Sequence, residues 1–406
     1  VLWNPDKGKC YELKANPSGQ FELELEASEI LWITSGKLNK TAKTSGEYAI
    51  NRPEKEIFSL KNDWQGKRLA PNALTLDFAS YSTDGGKTFS DPEPVIGIFN
   101  RLSDKQFAGK LILRYNAEVD QVPANCKLVL EQPNMYSDIR INAKPFTFKS
   151  DGFYVDHQFK TAEINPLLQK GNNTIELELD FKPAVKTSGV ATERYGSEIE
   201  SIYLIGDFGV FCHNTSEMNN SQRNATGNFQ PRPVHQVQSF SIGAEQTQFS
   251  GDLSMAGYPF YGGAFELKQT FNIPQLQKGS HYLLELPNCE AVVSVVELNG
   301  TVLDTLYRAP FKTDITQALK PGKNELKITM VNSLRNLLGP HHHNRGELIK
   351  VGPYSFTGAG GFPDAGGDNN WYDLRKTTEQ LKIWTDKYNL IPFGMLEPVR
   401  ILEREK

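Results

Sequence analysis

The sequence predicts an all-β protein built from tandem jelly-roll β-sandwiches. Apolar residues recur at every second position in many short segments, which places them on one face of a strand. A pattern of strand, Asn-containing turn and strand occurs twice, around Asn142 and Gly171 and again around Asn299 and Gly322. No segment carries the i, i+3, i+4, i+7 apolar pattern of a helix over more than about three turns. A (β/α)₈ barrel needs ~250 residues of alternating strand and helix, so the sequence excludes one.

The clearest copy of this pattern lies between residues 282 and 338. Its second strand ends in Asn299-Gly300, a pair that favours a hairpin because both turn residues need positive φ. Its last strand alternates apolar residues with Lys327 and Thr329. The parts are, in order, two strands, the Asn-Gly turn, an Asp-Ile-Thr step, a Gly-containing turn and the last strand: 283–286, 292–298, 299–300, 314–316, 321–324 and 326–330.

The other copy lies between residues 127 and 181 and keeps the same order. Asn299 lies 157 positions after Asn142, and Gly322 lies 151 positions after Gly171. This copy has Ala143 where the later one has Gly300, and Glu-Ile-Asn where the later one has Asp-Ile-Thr. A period this long indicates two related domains, because solenoid repeats are only ~20–50 residues long.

Both copies resemble the jelly-roll sugar-binding domain of glycoside hydrolase family 2 and its galactose-binding-like relatives. The resemblance rests on the order strand, Asn-Gly, Asp-Ile-Thr, Gly-x-Asn turn, strand. The stretch 332–347, Asn-Ser-Leu-Arg-Asn followed by Gly-Pro-His-His-His, resembles the C-terminal part of large α-L-rhamnosidase-like glycoside hydrolases. In that family the catalytic acids belong to an upstream barrel, so the resemblance implies an accessory region without catalytic residues of its own.

We expect four parts along the chain. Residues 21–26 and 30–33 are predicted strands, too few to close a sandwich alone. The segment after residue 212 is rich in Asn, Ser, Gln and Pro and has no apolar period, which is typical of a loop. The predicted parts are the terminal strands of a preceding β-sandwich, jelly-roll domain 1, a linker or long loop, and jelly-roll domain 2: 1–53, 54–212, 213–234 and 235–406.

The octet 82–89, Ser-Thr-Asp-Gly-Gly-Lys-Thr-Phe, matches the Asp-box of sialidases with Phe89 in place of Trp. A sialidase propeller needs several such boxes at blade spacing, and this chain has one. We therefore expect a structural hairpin in which Asp84 accepts main-chain N–H bonds across a tight turn. Helical structure is expected only as short turns near 166–168 and 317–319.

Composition excludes several classes of partner. A net charge of −4 and a pI near 6.1 give no reason to expect nucleic acid or an anionic membrane. No run approaches the ~18 apolar residues of a membrane span. The four cysteines form no Cys-x-x-Cys pair and are expected to be free. The resemblance to polysaccharide-degrading enzymes implies a bacterial protein that is secreted, periplasmic or on the cell surface.

Sugar binding needs a flat aromatic face with polar groups beside it. Trp371 and Tyr372 lie beside Asp368 in a Gly-rich segment and meet this requirement. Packing of Trp371 onto the sandwich is the alternative interpretation. The predicted carbohydrate-binding residues are Trp371, Tyr372, Asp368, His341, His342 and His343.

No metal or other cofactor is required by the pattern, although a structural calcium ion is compatible with it. Asp364, Asp368 and Asp373 are candidate calcium ligands but match no defined loop motif. The run His341 to His343 could also hold zinc, yet adjacent strand residues point to opposite faces, which favours a structural role in a polar loop.

The sequence thus favours the C-terminal accessory region, carbohydrate-binding or structural, of a secreted bacterial glycoside hydrolase that acts on complex polysaccharide. The expected partners are an oligo- or polysaccharide and an upstream catalytic domain of the same polypeptide. No opposed carboxylate pair of the kind a glycosidase needs stands out. A free-standing carbohydrate-binding protein is the first alternative. A jelly-roll polysaccharide lyase or a sialidase-like enzyme is the second.

Overall fold

The computed structural model describes residues 1–5, 8–23, 25, 29–35, 53–183, 196–220, 232–342, 346 and 384–404. Within them the chain is almost entirely β, and the predicted all-β sandwich class is confirmed. The strands are β1 Leu2–Asn4, β2 Lys9–Tyr11, β3 Trp32–Ile33, β4 Glu54–Ser59, β5 Trp64–Arg68, β6 Asn72–Leu76, β7 Phe78–Ser82, β8 Glu93–Pro94, β9 Gly109–Val119, β10 Cys126–Glu131, β11 Tyr136–Ile141, β12 Lys144–Pro145, β13 Gly152–Tyr154, β14 Asp156–Glu163, β15 Gly171–Phe181, β16 Ile202–Gly206, β17 Gly209–His213, β18 Ser216–Asn220, β19 Arg232–Val237, β20 Ser239–Gly243, β21 Gln248–Phe249, β22 Ala264–Ile273, β23 His281–Glu285, β24 Cys289–Glu290, β25 Val293–Leu298, β26 Thr301–Leu306, β27 Lys312–Asp314, β28 Gly322–Val331, β29 Tyr388–Leu390, β30 Gly394–Met395 and β31 Arg400–Arg404. The helices are α1 Val95–Asp104 and α2 Arg335–Leu338, with 3₁₀ turns at Pro133–Met135 and Asn165–Leu167.

The chain divides into two compact units, each assembled from separate stretches of sequence. Unit 1 comprises residues 1–67, 266–331 and 394–406, and unit 2 comprises residues 68–265 and 332–393. These units differ from the predicted domain limits, because β4 lies in unit 1, where it pairs with β31 near the C-terminus. No described helix is long and apolar enough to cross a membrane.

Unit 2 contains two large sheets that enclose an apolar core, and their strands are antiparallel except for the parallel pair β9 and β20. One sheet has the strand order β13-β14-β10-β16-β6, and the other β12-β11-β15-β9-β20-β17, with β7 pairing with β9. Strand β15 shows why the sheet forms. Its residues Ile175, Leu177 and Leu179 are at most 1% exposed and alternate with glutamates that face outward. A smaller sheet has the order β18-β19-β29.

Unit 1 repeats this construction on a smaller scale. Strands β5, β22, β28, β25 and β26 form one sheet in that order, and β27, β23, β31 and β4 form another. In β28, Leu326, Ile328 and Met330 are fully buried, as the period of two predicts.

An asparagine pair joins the two turns of the repeat in each unit. In unit 2, Asn142 donates from its amide to Asn173 Oδ1 at 2.8 Å, and the main-chain N–H after Asn173 donates back to Asn142 Oδ1 at 2.9 Å. In unit 1, Asn299 and Asn324 make the same two bonds, at 2.8 and 3.0 Å. The two copies therefore share their hydrogen bonding as well as their strand order, which confirms the predicted repeat.

The substitution of Ala143 for glycine leaves this turn intact. Asn142 and Ala143 have φ values of 52° and 62°, close to the 53° and 81° of Asn299 and Gly300. An alanine in this left-handed region is strained relative to glycine. The paired asparagines hold the first copy in the same conformation despite that cost.

Helix α1 corrects the expectation that helical structure is limited to short turns. Val95, Ile98, Phe99 and Leu102 are buried and stand at i, i+3, i+4 and i+7, so ten residues present one apolar face to the core. The run Val-Ile-Gly-Ile-Phe resembles a buried strand in composition, which masks the helical period. The 3₁₀ turn Asn165–Leu167 agrees with the expected turn near 166–168.

Two other segments differ from the expected strands and loops. No strand is present among the described residues of the predicted strand 21–26, and Phe21 and Leu25 are 45% and 60% exposed. The sheet here instead has the order β2-β1-β3. The predicted linker 213–234 contains β18, which pairs with β19, because the buried Val234 and Val237 anchor that hairpin to unit 2.

The Asp-box octet forms the expected structural hairpin end. Asp84 Oδ1 accepts hydrogen bonds from the main-chain N–H groups of Lys87 and Thr88 at 3.0 and 3.1 Å. The Arg114 guanidinium lies 3.5 Å from the centre of the Phe89 ring, where it covers the aromatic face. The Thr88 and Ser82 hydroxyls also donate to this carboxylate, and these bonds, followed by the main-chain N–H of Thr88, lower the pKa of Asp84 because they stabilise its ionised form.

Candidate functional site

The candidate site is a buried polar centre in unit 2, made by Asp77, His341 and His342. Asp77 lies between β6 and β7, where the chain crosses from one large sheet to the other. The histidines follow α2 and the Gly339–Pro340 pair. Their side chains are 3% and 4% exposed and that of Asp77 is 14% exposed. The two histidines therefore lie in the protein interior and not in the polar loop expected for them.

Hydrogen bonds fix the carboxylate of Asp77 from both sides. His342 Nε2 lies 2.9 Å from Asp77 Oδ2, and His341 Nδ1 lies 3.6 Å from the same oxygen. The hydroxyl of Tyr388, the first residue of β29, donates to Asp77 Oδ1. Each oxygen of the carboxylate thus has a polar neighbour, as a buried charge requires.

The far nitrogen of each imidazole faces main-chain carbonyls. His341 Nε2 lies 2.7 Å from the carbonyl oxygen of Asn336, and His342 Nδ1 lies 3.1 Å from those of Thr385 and Lys387. Carbonyl oxygens only accept hydrogen bonds, so these two nitrogens carry the ring hydrogens. Both rings are thereby held with their other nitrogen directed at Asp77.

Aromatic side chains enclose the centre. The Trp384 ring stacks on His342 with a centroid distance of 4.7 Å, and Phe78 meets the same imidazole edge-on at 5.2 Å. Phe260 contacts His341 edge-on at 5.8 Å. Trp384 is 2% exposed and so belongs to the core. The apolar walls lower the local dielectric and so strengthen each polar contact inside them.

Electrostatics favours an ionised Asp77 next to a neutral His341. Burial by itself raises the pKa of Asp77, but the charge of His342 and the polar interactions with both histidines outweigh burial and hold this pKa far below its usual range. Burial lowers the pKa of His341. Burial and the negative charge of Asp77 together raise the pKa of Tyr388, so its hydroxyl keeps its proton.

The centre also joins the two ends of segment 343–383. The main-chain N–H of Thr385 donates to the carbonyl of His342 at 2.9 Å, and that of Asn389 donates to the carbonyl of His341 at 2.8 Å. The residues on either side of segment 343–383 are therefore held next to each other at this centre. Of the predicted carbohydrate-binding residues, only His341 and His342 are brought together. Trp371, Tyr372, Asp368 and His343, with the calcium candidates Asp364 and Asp373, lie outside the described residues.

Three members of the centre were missed by sequence reasoning as site residues: Asp77, Tyr388 and Trp384. Asp77 offered a signal, because it is a lone carboxylate in the apolar run Leu-Thr-Leu-Asp-Phe-Ala. An acidic residue in such a run is buried with a partner more often than it is left unpaired. The partner could not be named, since His342 lies 265 positions away in sequence.

A second cluster of carboxylates lines a small cleft in unit 2. Glu131, Tyr136, Glu198 and Glu200 surround a free volume of about 10 Å³, which is room for about one water molecule. Burial, a hydrogen bond to Glu131 and the charge of Glu131 raise the pKa of Glu200 to about 8. A glycosidase needs carboxylates ~5 to 9.5 Å apart, so this hydrogen-bonded pair stands too close to flank a sugar.

Part of the chain is similar in sequence to a protein that is named as a sugar hydrolase. The chain is 29% identical over 147 residues to a candidate beta-glucuronidase of Formosa agariphila. The match covers 36% of this chain and 12% of that protein. Over this segment the chain is related to a glycoside hydrolase. The predicted resemblance is confirmed to that extent. No family model matches the chain.

Several solved structures of sugar hydrolases also align with the chain. A rhamnosidase from Novosphingobium sp. PP1Y aligns with 14% identity and a TM-score of 0.26, covering 73% of this chain and 23% of that one. A beta-D-glucuronidase of Dictyoglomus thermophilum aligns with 11% identity and a TM-score of 0.23, covering 66% and 42%. Similarity at this level indicates neither a shared site nor shared chemistry.

Proposed function

We propose that this chain is an accessory, carbohydrate-contacting region of a glycoside hydrolase whose catalytic domain lies elsewhere in the polypeptide. The similarity over 147 residues to a candidate beta-glucuronidase carries the proposal. The chain spans only 12% of that relative, which leaves room for a catalytic domain beyond the segment in common. For such a protein we propose a location outside the cytoplasm, where polysaccharide is met.

The described polar clusters support an accessory role. The carboxylate of Asp77 is held by three side chains inside aromatic walls, and the Glu131–Glu200 cleft has room for about one water molecule. Neither arrangement offers a sugar ring the pair of opposed carboxylates that hydrolysis needs.

Segment 343–383 is the proposed place of carbohydrate contact, with Trp371, Tyr372 and Asp368 as the contacting residues. The support for this is that both ends of the segment are held by hydrogen bonds at the Asp77 centre. An indole face supplies apolar area for the C–H face of a pyranose.

Binding tests this proposal through a matched pair of tryptophan variants. We expect Trp371→Ala to weaken glycan binding by about 1–3 kcal/mol, the value of one well-buried apolar side chain. Trp32→Ala is the control, because Trp32 is 63% exposed in unit 1. Affinity is measured by calorimetry against soluble oligosaccharides, and Tm is measured on the same samples. Unchanged affinity with a lowered Tm would assign Trp371 to packing.

Activity tests the accessory role separately. We expect the purified chain to release no sugar from aryl glycosides or polysaccharides. Turnover that a single substitution such as Glu200→Gln abolishes would place a catalytic centre in this chain and contradict the proposal. Glycan binding by the chain without any associated catalytic domain in its gene would favour a free-standing carbohydrate-binding protein.

A further inference from the structure

We propose that Asp77, His341 and His342 bind a transition-metal dication of the Zn²⁺ class. This site goes beyond the proposed function and does not depend on it. Asp77 Oδ2, His341 Nδ1 and His342 Nε2 all lie within 4.8 Å of one another in the interior of unit 2. They are the ligand types that a borderline-soft dication prefers.

The distances between these atoms are close to those in a tetrahedral site. Zn²⁺ takes imidazole nitrogen at ~2.0–2.1 Å and carboxylate oxygen at ~2.0–2.2 Å, so neighbouring ligand atoms lie about 3.3 Å apart. The two distances to Asp77 Oδ2 are 2.9 Å from His342 and 3.6 Å from His341. Shifts of a few tenths of an ångström would bring both distances to the separation of about 3.3 Å that is expected between two ligand atoms of one metal ion.

The surroundings of the ligand atoms also match those of a metal site. A metal-binding histidine commonly donates its other ring N–H to a carbonyl, which fixes the tautomer and the direction of the lone pair. His341 makes this bond to Asn336, and His342 makes it to Thr385 and Lys387. Tyr388 fixes the carboxylate of Asp77 in the same way by donating to its other oxygen. All three ligands are thus oriented by their neighbours.

The nitrogen His341 Nδ1 supplies a further geometric observation. It lies 3.6 Å from Asp77 Oδ2, beyond the length of a hydrogen bond, in a residue that is only 3% exposed. A metal ion between these two atoms would bind both of them, and it would take the place of the hydrogen between His342 and Asp77.

The donor set selects the class of metal. Two imidazole nitrogens and one carboxylate suit zinc and its neighbours, whereas Ca²⁺ takes six to eight oxygen ligands. A water molecule would complete the coordination. The bound ion would fasten His341 and His342 to the Asp77 crossing and so hold the end of segment 343–383 that follows His342. We assign it this structural role.

Metal titration of the whole chain tests the proposal. The purified chain is stripped with a chelator and dialysed, and Zn²⁺ alone is then titrated in competition with a chromophoric chelator. We expect one equivalent to bind, with a rise in Tm that saturates at that stoichiometry. Co²⁺ added in place of zinc should give the visible d–d bands of a tetrahedral N/O site.

Variants connect the binding to these residues. His341→Gln and His342→Gln should each weaken Zn²⁺ binding at least about 100-fold, because loss of a ligand exceeds the 10–100-fold cost of losing its support. His235→Gln is the matched control. His235 also pairs with an aspartate, Asp252, at 2.6 Å, but it does not belong to the cluster of Asp77, His341 and His342. It should bind zinc like the unchanged chain.

Two results would overturn the proposal. The first is that the unchanged chain shows neither a zinc-dependent Tm nor Co²⁺ bands. In that case the centre would be an ion pair that binds no metal. The second is zinc binding that both glutamine variants retain, which would place the metal at other histidines. If the variants do not fold, the stoichiometry and the Co²⁺ spectrum of the unchanged chain decide the matter.

Discussion

At the scale of single residues, Asn142 and Asn299 show that a sequence pattern can predict a turn but not the hydrogen-bond partner of its asparagine. Asn299-Gly300 was predictable as a turn from local sequence alone, and Asn142-Ala143 was predictable as a turn from its place in the repeat. The bonds from these turns to Asn173 and Asn324 were not, because they connect residues 31 and 25 positions apart. A turn preference is a local property, whereas its partner is fixed only when strands pair in register.

Asn173 offers a direct measure of this network. It is fully buried, and its amide donates to the carbonyls of Gln169 and Gly171. We expect Asn173→Ala to lower the free energy of unfolding by on the order of 2 kcal/mol or more, because it leaves buried partners unsatisfied. Asn172→Ala, one position away and exposed, should change it by less than about 0.5 kcal/mol. Urea denaturation measures both, and equal losses would contradict a specific role for Asn173.

Glu200 makes stability depend on pH. Its pKa is about 8 in the folded chain against an ordinary 4.5, so the folded state keeps a proton that the unfolded state releases. The stabilisation is complete below about pH 4.5 and is lost as the pH rises through 8. We expect Tm to fall over this interval more in the unchanged chain than in Glu200→Gln. The effect is small because Glu200 is partly exposed.

The control for this prediction is Glu163→Gln, an exposed glutamate of β14. Its Tm should follow the unchanged chain at every pH. If Tm changed with pH in the same way in the unchanged chain and in Glu200→Gln, the Glu131–Glu200 pair would not be the cause of the pH dependence of stability.

At the scale of elements, the strands of the repeat were predictable, whereas α1, the longest helix among the described residues, was not. The period of two identified β15 and β28 because each buries one face and exposes the other. Helix α1 is also amphipathic, but its ten residues include four β-branched or aromatic ones at its start, which favour a strand by propensity. Packing of Phe99 against Phe181, with ring centroids 6.2 Å apart, overrides that propensity.

Two isoleucines on opposite faces of α1 test this account. Ile98 is fully buried, whereas Ile96 is only partly so. We expect Ile98→Ala to lower the free energy of unfolding by about 2–4 kcal/mol through lost burial and a residual cavity. Ile96→Ala should lower it by about 1 kcal/mol or less, since alanine also favours the helix. Similar losses at the two positions would contradict the assignment of the buried face.

At the scale of the whole molecule, the two units are assembled from distant stretches of chain. The repeat was visible in the sequence because each copy is contiguous, from 127 to 181 and from 283 to 331. The strands that complete each unit lie outside the repeat, and no sequence pattern shows which unit they belong to. Strand β31 lies between β23 and β4, and Ile401 is fully buried, yet nothing local to residues 400–404 indicates which strands it joins.

The position of β31 leads to a prediction about truncation. A chain that ends at Phe393 lacks β30 and β31 and so loses an internal strand of the β27-β23-β31-β4 sheet. We expect unit 1 to unfold, with rapid proteolysis within 266–331, although only the last 13 residues are missing. A chain that ends at Arg404 keeps β31 and should resist the protease like the unchanged chain. Equal resistance of both truncated chains would contradict an essential β31.

The pairing of β4 with β31 also governs when the protein can fold during synthesis. Arg404 and Glu54, joined by an ion pair, lie 350 positions apart. A ribosome adding ~5–20 residues per second needs roughly 20 to 70 s to reach the second partner after making the first. Throughout that time β4 has no β31 to pair with. In the same way, Asp77 lacks its contacts with His341 and His342 until those residues have been synthesised. The nascent chain therefore exposes unpaired strand edges until β31 has been synthesised, which makes it a natural client for chaperones that cover such edges.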